Sequence, residues 1–294
     1  MFKVTLNLQR SEISDIRFKK GEFPDGQQYV KIMTENLDNH SVTIISRMNN
    51  FLDLEMIFCA TAALREAKAS EIRLQIPYFA GARSDRKFES GGYNYLKSVI
   101  CPLINLQNYK DVSVLDPHSD ILEACLDNFS KSRSSLIIKN ILDELRPDGS
   151  FSDFVLVSPD AGAMKKIFDV SRDTGISKVI QASKHRDVVT GQITHTEING
   201  ISDLPPGRIF LIADDICDGG RTFTEIAKEI RIKRPVGQYA DQIYLYVTHG
   251  IFSSGFKEIS NWIDLVLTTN SFRDIEKSEF SEISEGFVRQ IQVI

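Results

Sequence analysis

Short apolar runs punctuate the chain at residues 71–77, 112–116, 154–158, 179–180, 209–213, 243–247 and 264–268. They are rich in β-branched residues and too short for helices, so they predict strands. Longer stretches with helical patterning fall between them. Within 50–68, Leu52, Met56, Cys59, Ala60, Ala63, Leu64 and Ala67 fall on one stripe at helical spacing, which predicts a helix that buries this stripe. Residues 134–145 predict another, at the start of a second domain. Strands alternating with helices predict an α/β fold whose sheets are mostly parallel and covered on both faces. The boundary is expected near residue 133. A first domain covers 1–133, a second covers 134–284, and a final strand within 285–294 is expected to return to the first.

Three predicted strands end in polar turns: Asp116-Pro117-His118-Ser119, Ser158-Pro159-Asp160-Ala161-Gly162, and Asp214-Asp215. In open α/β sheets ligands bind beyond the carboxyl ends of strands, so chemistry is expected at these turns. The third is the most informative. The run 209–213 leads into Asp214 and Asp215, then into Asp218-Gly219-Gly220-Arg221-Thr222, a glycine turn that opens a helix. Backbone N–H groups of such a turn can bind phosphate oxygens, and the helix dipole adds to the attraction. Two adjacent carboxylates repel each other unless donors or cations bind them, so they suit ribose hydroxyls or a hydrated metal. The plainer reading is a strand, turn and helix whose acids cap the helix.

Other clusters weigh on that choice. Arg83-Ser84-Asp85-Arg86-Lys87 follows a strand and carries three cations. Guanidinium forks match phosphate oxygens bidentately, so a polyphosphate is the natural guest, against the alternative of a solvated loop. His118 and Asp160, each just past a strand, can share a divalent ion or its waters. Lys184 and Arg186 precede 188–191, read as a mobile loop, and cations held over a phosphate neutralise charge that develops in a transition state. Neither a Gly-x-x-x-x-Gly-Lys-Ser/Thr loop nor a Gly-x-Gly-x-x-Gly fingerprint is present.

Composition narrows the class. The 294 residues suffice for two domains with a core each. Forty Asp and Glu against 35 Lys and Arg leave a net charge of −5, with dispersed cations, which argues against a nucleic-acid partner. Cys59, Cys101, Cys125 and Cys217 are widely separated and form no Cys-x-x-Cys pair, so they read as thiols of a reducing compartment. No signal-type core or membrane-spanning run is evident, and a cytoplasmic protein without a membrane partner is expected.

Taken in order, these motifs resemble the ribose-phosphate pyrophosphokinases, also called phosphoribosyl pyrophosphate synthetases, over nearly the whole chain. The residues that carry the resemblance are Phe23-Pro24-Asp25-Gly26, the stretch 76–87, Asp116-Pro117-His118-Ser119, the stretch 157–162, Lys184 with Arg186, the motif 214–222, and Val247-Thr248-His249-Gly250-Ile251-Phe252-Ser253. The resemblance implies two phosphoribosyltransferase-type domains, the first on the ATP side and the second binding the phosphoribosyl group. It implies a homo-oligomer of at least two copies that serves nucleotide biosynthesis. With Mg2+, such an enzyme transfers pyrophosphate from ATP to the anomeric hydroxyl of ribose 5-phosphate, giving phosphoribosyl pyrophosphate and AMP. Carried over residue by residue, Phe23, Asp25 and Gln27 of a neighbouring copy meet the adenine, and Arg83, Ser84, Asp85, Arg86 and His118 hold the ATP phosphates. His118 and Asp160 organise magnesium. Asp214 and Asp215 hold the ribose hydroxyls, Asp218, Gly219, Gly220, Arg221 and Thr222 hold the 5-phosphate, and Lys184 and Arg186 stabilise the transferring group.

Some positions depart from the family's pattern. Gln27 stands where the family usually has Glu, and Ser84 where it has Gln. Arg221 falls where the family loop normally carries small residues. A guanidinium there would tighten the 5-phosphate or reach a second phosphate, so a larger acceptor such as ADP-ribose is an expectation beside ribose 5-phosphate. Two other readings compete. A phosphoribosyltransferase that consumes phosphoribosyl pyrophosphate shares the acid pair and turn, but it needs one such domain and leaves Arg83 to Lys87 and His118 without a use. A non-catalytic, family-like regulatory subunit would need none of Lys184, Arg186, His118 and Asp160.

Overall fold

A computed structural model describes residues 1–186, 193–234 and 241–294; the side chains of 184–186 and 193–196 lie outside that description. The expected mobile loop at 188–191 therefore falls outside the described residues. The chain divides into two units, Met1–Ser132 with Val293–Ile294, and Arg133–Gln292.

The first unit contains β1 (Phe2–Asn7), β2 (Phe18–Glu22), β3 (Gln28–Ile32), β4 (His40–Ile45), α1 (Phe51–Glu66), β5 (Glu71–Ile76), α2 (Cys101–Asn105), β6 (Val112–Leu115), α3 (Ile121–Cys125) and β7 (Phe129–Ser132). Its main sheet is parallel, in the order β1-β4-β5-β6-β7, and β2 and β3 form a separate antiparallel hairpin. Helix α1 begins on a capping box, in which the Asn50 side chain accepts from the N–H of Leu52 and Asp53 while Asp53 accepts from the N–H of Asn50. The expected stripe is corrected here. Leu54, Ile57, Ala60, Thr61 and Leu64 form the buried face, whereas Leu52 is 55% exposed. Helix α1 packs on two sides, against the sheet and against β3, so half-buried Met56 and Phe58 are apolar off the main stripe. Gln28 in the hairpin takes Glu55 Oε1 on its N–H, and its carbonyl accepts from the Cys59 thiol. Two buried faces blur a one-stripe pattern.

The second unit contains α4 (Ser134–Leu145), β8 (Phe154–Ser158), α5 (Met164–Thr174), β9 (Val179–Arg186), β10 (Ile193–Ile198), β11 (Ile209–Cys217), α6 (Arg221–Lys233), β12 (Gln242–Gly250), α7 (Lys257–Ser260), β13 (Leu265–Thr269) and β14 (Val288–Ile291). The strand order is β10-β9-β8-β11-β12-β13-β14, parallel throughout apart from β10. Alternate residues of β11 serve two cores. Ile209, Leu211 and Ala213 pack with Ile138, Leu142, Ile167 and Val170 of α4 and α5, and Phe210 and Ile212 pack with Phe223, Ile226 and Ile230 of α6.

The last strand does not go where expected. β14 lies alongside β13, with Val266 opposite Val288 and Thr269 opposite Ile291, and only Val293 and Ile294 group with the first unit. The open edge of β13 gains a row of backbone partners, and Phe287 is buried beside Phe256 at 6.3 Å between ring centroids.

Candidate active site

In the second unit the chain leaves β8 toward β9 on one side and re-enters at β11 on the other, so β8 and β11 are neighbours at a reversal of strand order. The helices that follow them cover opposite faces, which opens a crevice at the carboxyl ends of the two strands. Asp214 and Asp215 sit at this point. Pairing of β11 with β8 stops at Ile212, opposite Val157, whereas pairing with β12 continues to Cys217, opposite Gly250. The acids are therefore part of the strand, two and three residues past its last β8 partner, and not a loop beyond its end.

Beside them on the β8 side, the Asp160 turn is fixed by its own hydrogen bonds. Asp160 Oδ1 accepts from the Ala163 N–H at 3.1 Å, and the Asp160 carbonyl accepts from Ser158 Oγ at 2.8 Å. Asp215 is buried at 6% exposure and its N–H donates to Asp214 Oδ1 at 2.9 Å. Burial pushes the Asp214 carboxyl well above the ordinary range, and the charge of Asp215 and a hydrogen bond with it add to the rise, while Lys166 on α5 opposes it. Lys166 Nζ stands 3.8 Å from Asp215 Oδ1.

After β11 the chain turns through Asp218, Gly219 and Gly220 into α6, whose first residue is Arg221. Gly220 has φ of +82°, a left-handed conformation that favours glycine, and this aligns the turn with the helix N-terminus. A second segment braces the turn. The N–H groups of Ile251 and Phe252 donate to the Cys217 carbonyl, the Ser253 N–H donates to the Asp218 carbonyl, and Ser253 Oγ donates to Asp218 Oδ1 at 2.5 Å. Arg221 is exposed and Thr222 half-buried. Lys184 and Arg186 lie in β9; their side chains are among those outside the description.

In the first unit the cationic loop follows β5. Asp85, only 4% exposed, accepts from Arg86 through Nε at 2.9 Å and Nη2 at 3.4 Å. Burial would raise its carboxyl, but hydrogen bonds from Arg86 and Ser119 and the charges of Arg86 and His118 outweigh burial and hold it below the ordinary 3.8. The loop after β5 and the turn after β6 thus meet at Asp85. Arg83 and Arg86 are exposed, and Ser84 is half-buried with its N–H on the Gly81 carbonyl at 2.8 Å. Asp116, just before a proline, has φ of +42° and is buried. Phe23, Asp25 and Gln27 form the exposed tip of the β2–β3 hairpin, closed by the Phe23 N–H on the Gln27 carbonyl at 2.9 Å. The Phe23 ring lies 5.0 Å from that of Tyr29.

Comparison with known proteins gives the same picture. A model of the N-terminal domain of ribose phosphate pyrophosphokinase matches residues 7–100. A ribose-phosphate pyrophosphokinase of Sulfolobus acidocaldarius is 25% identical over 285 residues, covering 94% of this chain and 92% of the relative. One of Pyrococcus furiosus is also 25% identical, covering 90% and 88%. The chain is thus similar to ribose-phosphate pyrophosphokinases over most of its length. The fold agrees: a crystal structure of phosphoribosylpyrophosphate synthetase from Mycobacterium smegmatis, 16% identical, covers 100% of this chain and 95% of its own, with a TM-score of 0.78. No helix among the described residues is long and apolar enough to cross a membrane.

Three residues of this candidate site escape sequence reasoning. Lys166, Ser119 and Ser253 each reach their acid from a separate element. Ser119 and Ser253 lie inside the motifs that carry the resemblance, which is a signal of place but not of role. Lys166 has no such signal.

Proposed function

We propose that the protein transfers a pyrophosphoryl group from ATP to the anomeric hydroxyl of ribose 5-phosphate, releasing AMP. The observation that carries this reading is the reversal of strand order that sets Asp214, Asp215 and the glycine turn beside the Asp160 turn. That arrangement offers acceptors for ribose hydroxyls, N–H donors for a 5-phosphate and a carboxylate for a metal within one crevice. The similarity supports it, because the relatives are named for this activity.

In this reading Asp214 and Asp215 accept hydrogen bonds from the ribose hydroxyls, and the turn from Asp218 to Thr222 receives the 5-phosphate. Arg83, Ser84, Asp85, Arg86 and His118 serve the triphosphate, and Phe23, Asp25 and Gln27 meet the adenine bound by a neighbouring copy of the chain. The anomeric oxygen attacks the β-phosphorus in line. The bond from the β-phosphorus to the oxygen bridging it to the α-phosphorus breaks, AMP departs with that oxygen, and the hydroxyl proton passes to solvent. Lys184 and Arg186 neutralise charge that grows on the transferring group, so catalysis is mainly positioning and electrostatics.

The residues present fit Mg2+. It keeps several waters and takes one or two carboxylates with substrate phosphates, so it needs no cluster of three protein ligands, and none is arranged among the described residues. In the second unit the oriented carboxylate of Asp160 is a suitable hard donor; in the first, the imidazole of His118 is suited to an ion's waters better than to an ion itself. Bound at Asp160, the metal would draw charge from phosphate oxygens.

The test is phosphorus NMR of the protein with ATP, Mg2+ and ribose 5-phosphate. AMP appearing with a pyrophosphorylated sugar is the expected result. Activity only with phosphoribosyl pyrophosphate and a nucleobase would replace this reading with a phosphoribosyltransferase, and silence in both would leave a non-catalytic subunit. Exposed Arg221 motivates a further arm with ADP-ribose as acceptor, and AMP release there would widen the acceptor class.

A further inference from the structure

The acid pair has a cation that its sequence neighbours do not supply. Lys166 sits in the first turn of α5, and α5 covers the face of the sheet on which Ile209, Leu211 and Ala213 lie. Asp215 continues that alternation, and Lys166 Nζ comes within 3.8 Å of its Oδ1, with side chains only 19% and 9% exposed. A charge pair so largely withdrawn from water interacts far more strongly than one on the surface. Helix α5 does not need this contact to hold the sheet, because Ile167 and Val170 are fully buried against it.

We propose that Lys166 is a positioning residue for the acceptor sugar, holding the Asp215 carboxylate so that the acid pair faces the ribose hydroxyls ready to accept. This rests on the reading of Asp214 and Asp215 as the ribose site. The two acids are oriented by different partners: Asp214 by the N–H of Asp215 at 2.9 Å, and Asp215 by Lys166. Two adjacent carboxylates repel each other, and without the cation Asp215 has reason to turn away. A pair already in place when the sugar arrives loses little freedom on binding.

The test compares K166M and K166R with the unaltered protein in steady-state kinetics and in calorimetric titration with ribose 5-phosphate alone. Methionine keeps the length of the stem and removes the charge. In K166M the KM and Kd for ribose 5-phosphate should rise roughly tenfold, as for loss of one charge-assisted contact, while the KM for ATP stays within about twofold. K166R should restore the sugar's affinity to within about threefold. Unchanged sugar affinity in K166M overturns the proposal. Equal losses for both substrates with a lowered melting temperature also overturn it, since they mark a merely structural pair. If K166M does not fold, K166Q is read the same way. An unaltered protein that binds no ribose 5-phosphate refutes the proposed function itself, a result distinct from an active enzyme indifferent to Lys166.

Discussion

Ser253 Oγ donates to Asp218 Oδ1 at 2.5 Å, tying the segment after β12 to the glycine turn after β11. The turn's own backbone is already clamped by three N–H donors from residues 251–253. The hydroxyl therefore adds orientation of one carboxylate more than it adds fold stability. S253A should raise the KM for ribose 5-phosphate by about threefold to tenfold. Its melting temperature should stay within about 2 °C of the original. A large stability loss with unchanged KM, measured by thermal denaturation and initial rates, would show that the hydroxyl serves the fold instead.

Asp85 predicts acid behaviour. Its carboxyl is held below 3.8 in the folded protein despite burial, through Arg86, Ser119 and His118. A carboxyl with a depressed folded-state value contributes stability that is complete above its unfolded value and is lost as pH falls through the folded one. R86M removes the largest of those supports. The variant should fall furthest below the original in stability near neutral pH, with the gap closing as pH drops through the folded-state value of Asp85, and it should unfold at a higher pH on acidification. Circular dichroism along a pH titration from 7 to about 2 reads the midpoint, and an unchanged midpoint would count against this account.

Much of the fold is legible because parallel strands buried on both faces are continuous apolar runs. β8, as Phe-Val-Leu-Val-Ser, and the first five residues of β11 stand out for that reason. β7, Phe-Ser-Lys-Ser at the sheet edge, and the polar hairpin β2–β3 do not, since one side of each meets water. β14 is visible as a strand but not in its placement, which depends on the unpaired edge of β13. The site divides the same way. The acid pair and glycine turn lie consecutively in the chain and are legible as one motif. The partners that tune them, Lys166 and Ser253, come from other elements, and only the register of β8, β11 and β12 brings them together.

Gly220 tests whether the turn needs its left-handed conformation. At φ of +82°, a side chain is strained, and its Cβ would stand 3.0 Å from Ile259 Cγ1 and Cδ1. The ends of Ile259 can shift, so the backbone term dominates. G220A should destabilise the second unit by roughly 1–2 kcal/mol, the cost of a left-handed alanine. It should also weaken ribose 5-phosphate binding by swinging the N–H donors out of line. Urea denaturation and sugar titration together decide the matter; full affinity with full stability would mean that the turn relaxes without cost.

Asp214 is the clearest case of stability set against function. Burial and the neighbouring Asp215 hold its folded-state carboxyl well above the ordinary 3.8, with Lys166 only partly relieving it. A carboxyl raised in this way weakens the native state at every pH above its folded value. The penalty fades as pH falls through that value and vanishes below the unfolded one. D214N removes the charge while keeping the shape, so it also spares Asp215 a like-charged neighbour and leaves it paired with Lys166. The variant should melt higher than the original at pH 8, and the gap should close toward pH 4. Its turnover should fall at least about tenfold, because an amide offers one acceptor oxygen where the ribose hydroxyls met a carboxylate. Melting curves at the two pH values decide the stability claim and initial rates decide the functional one. A D214N protein less stable at pH 8 would mean that Asp214 is ionised at no cost, held by partners stronger than Lys166.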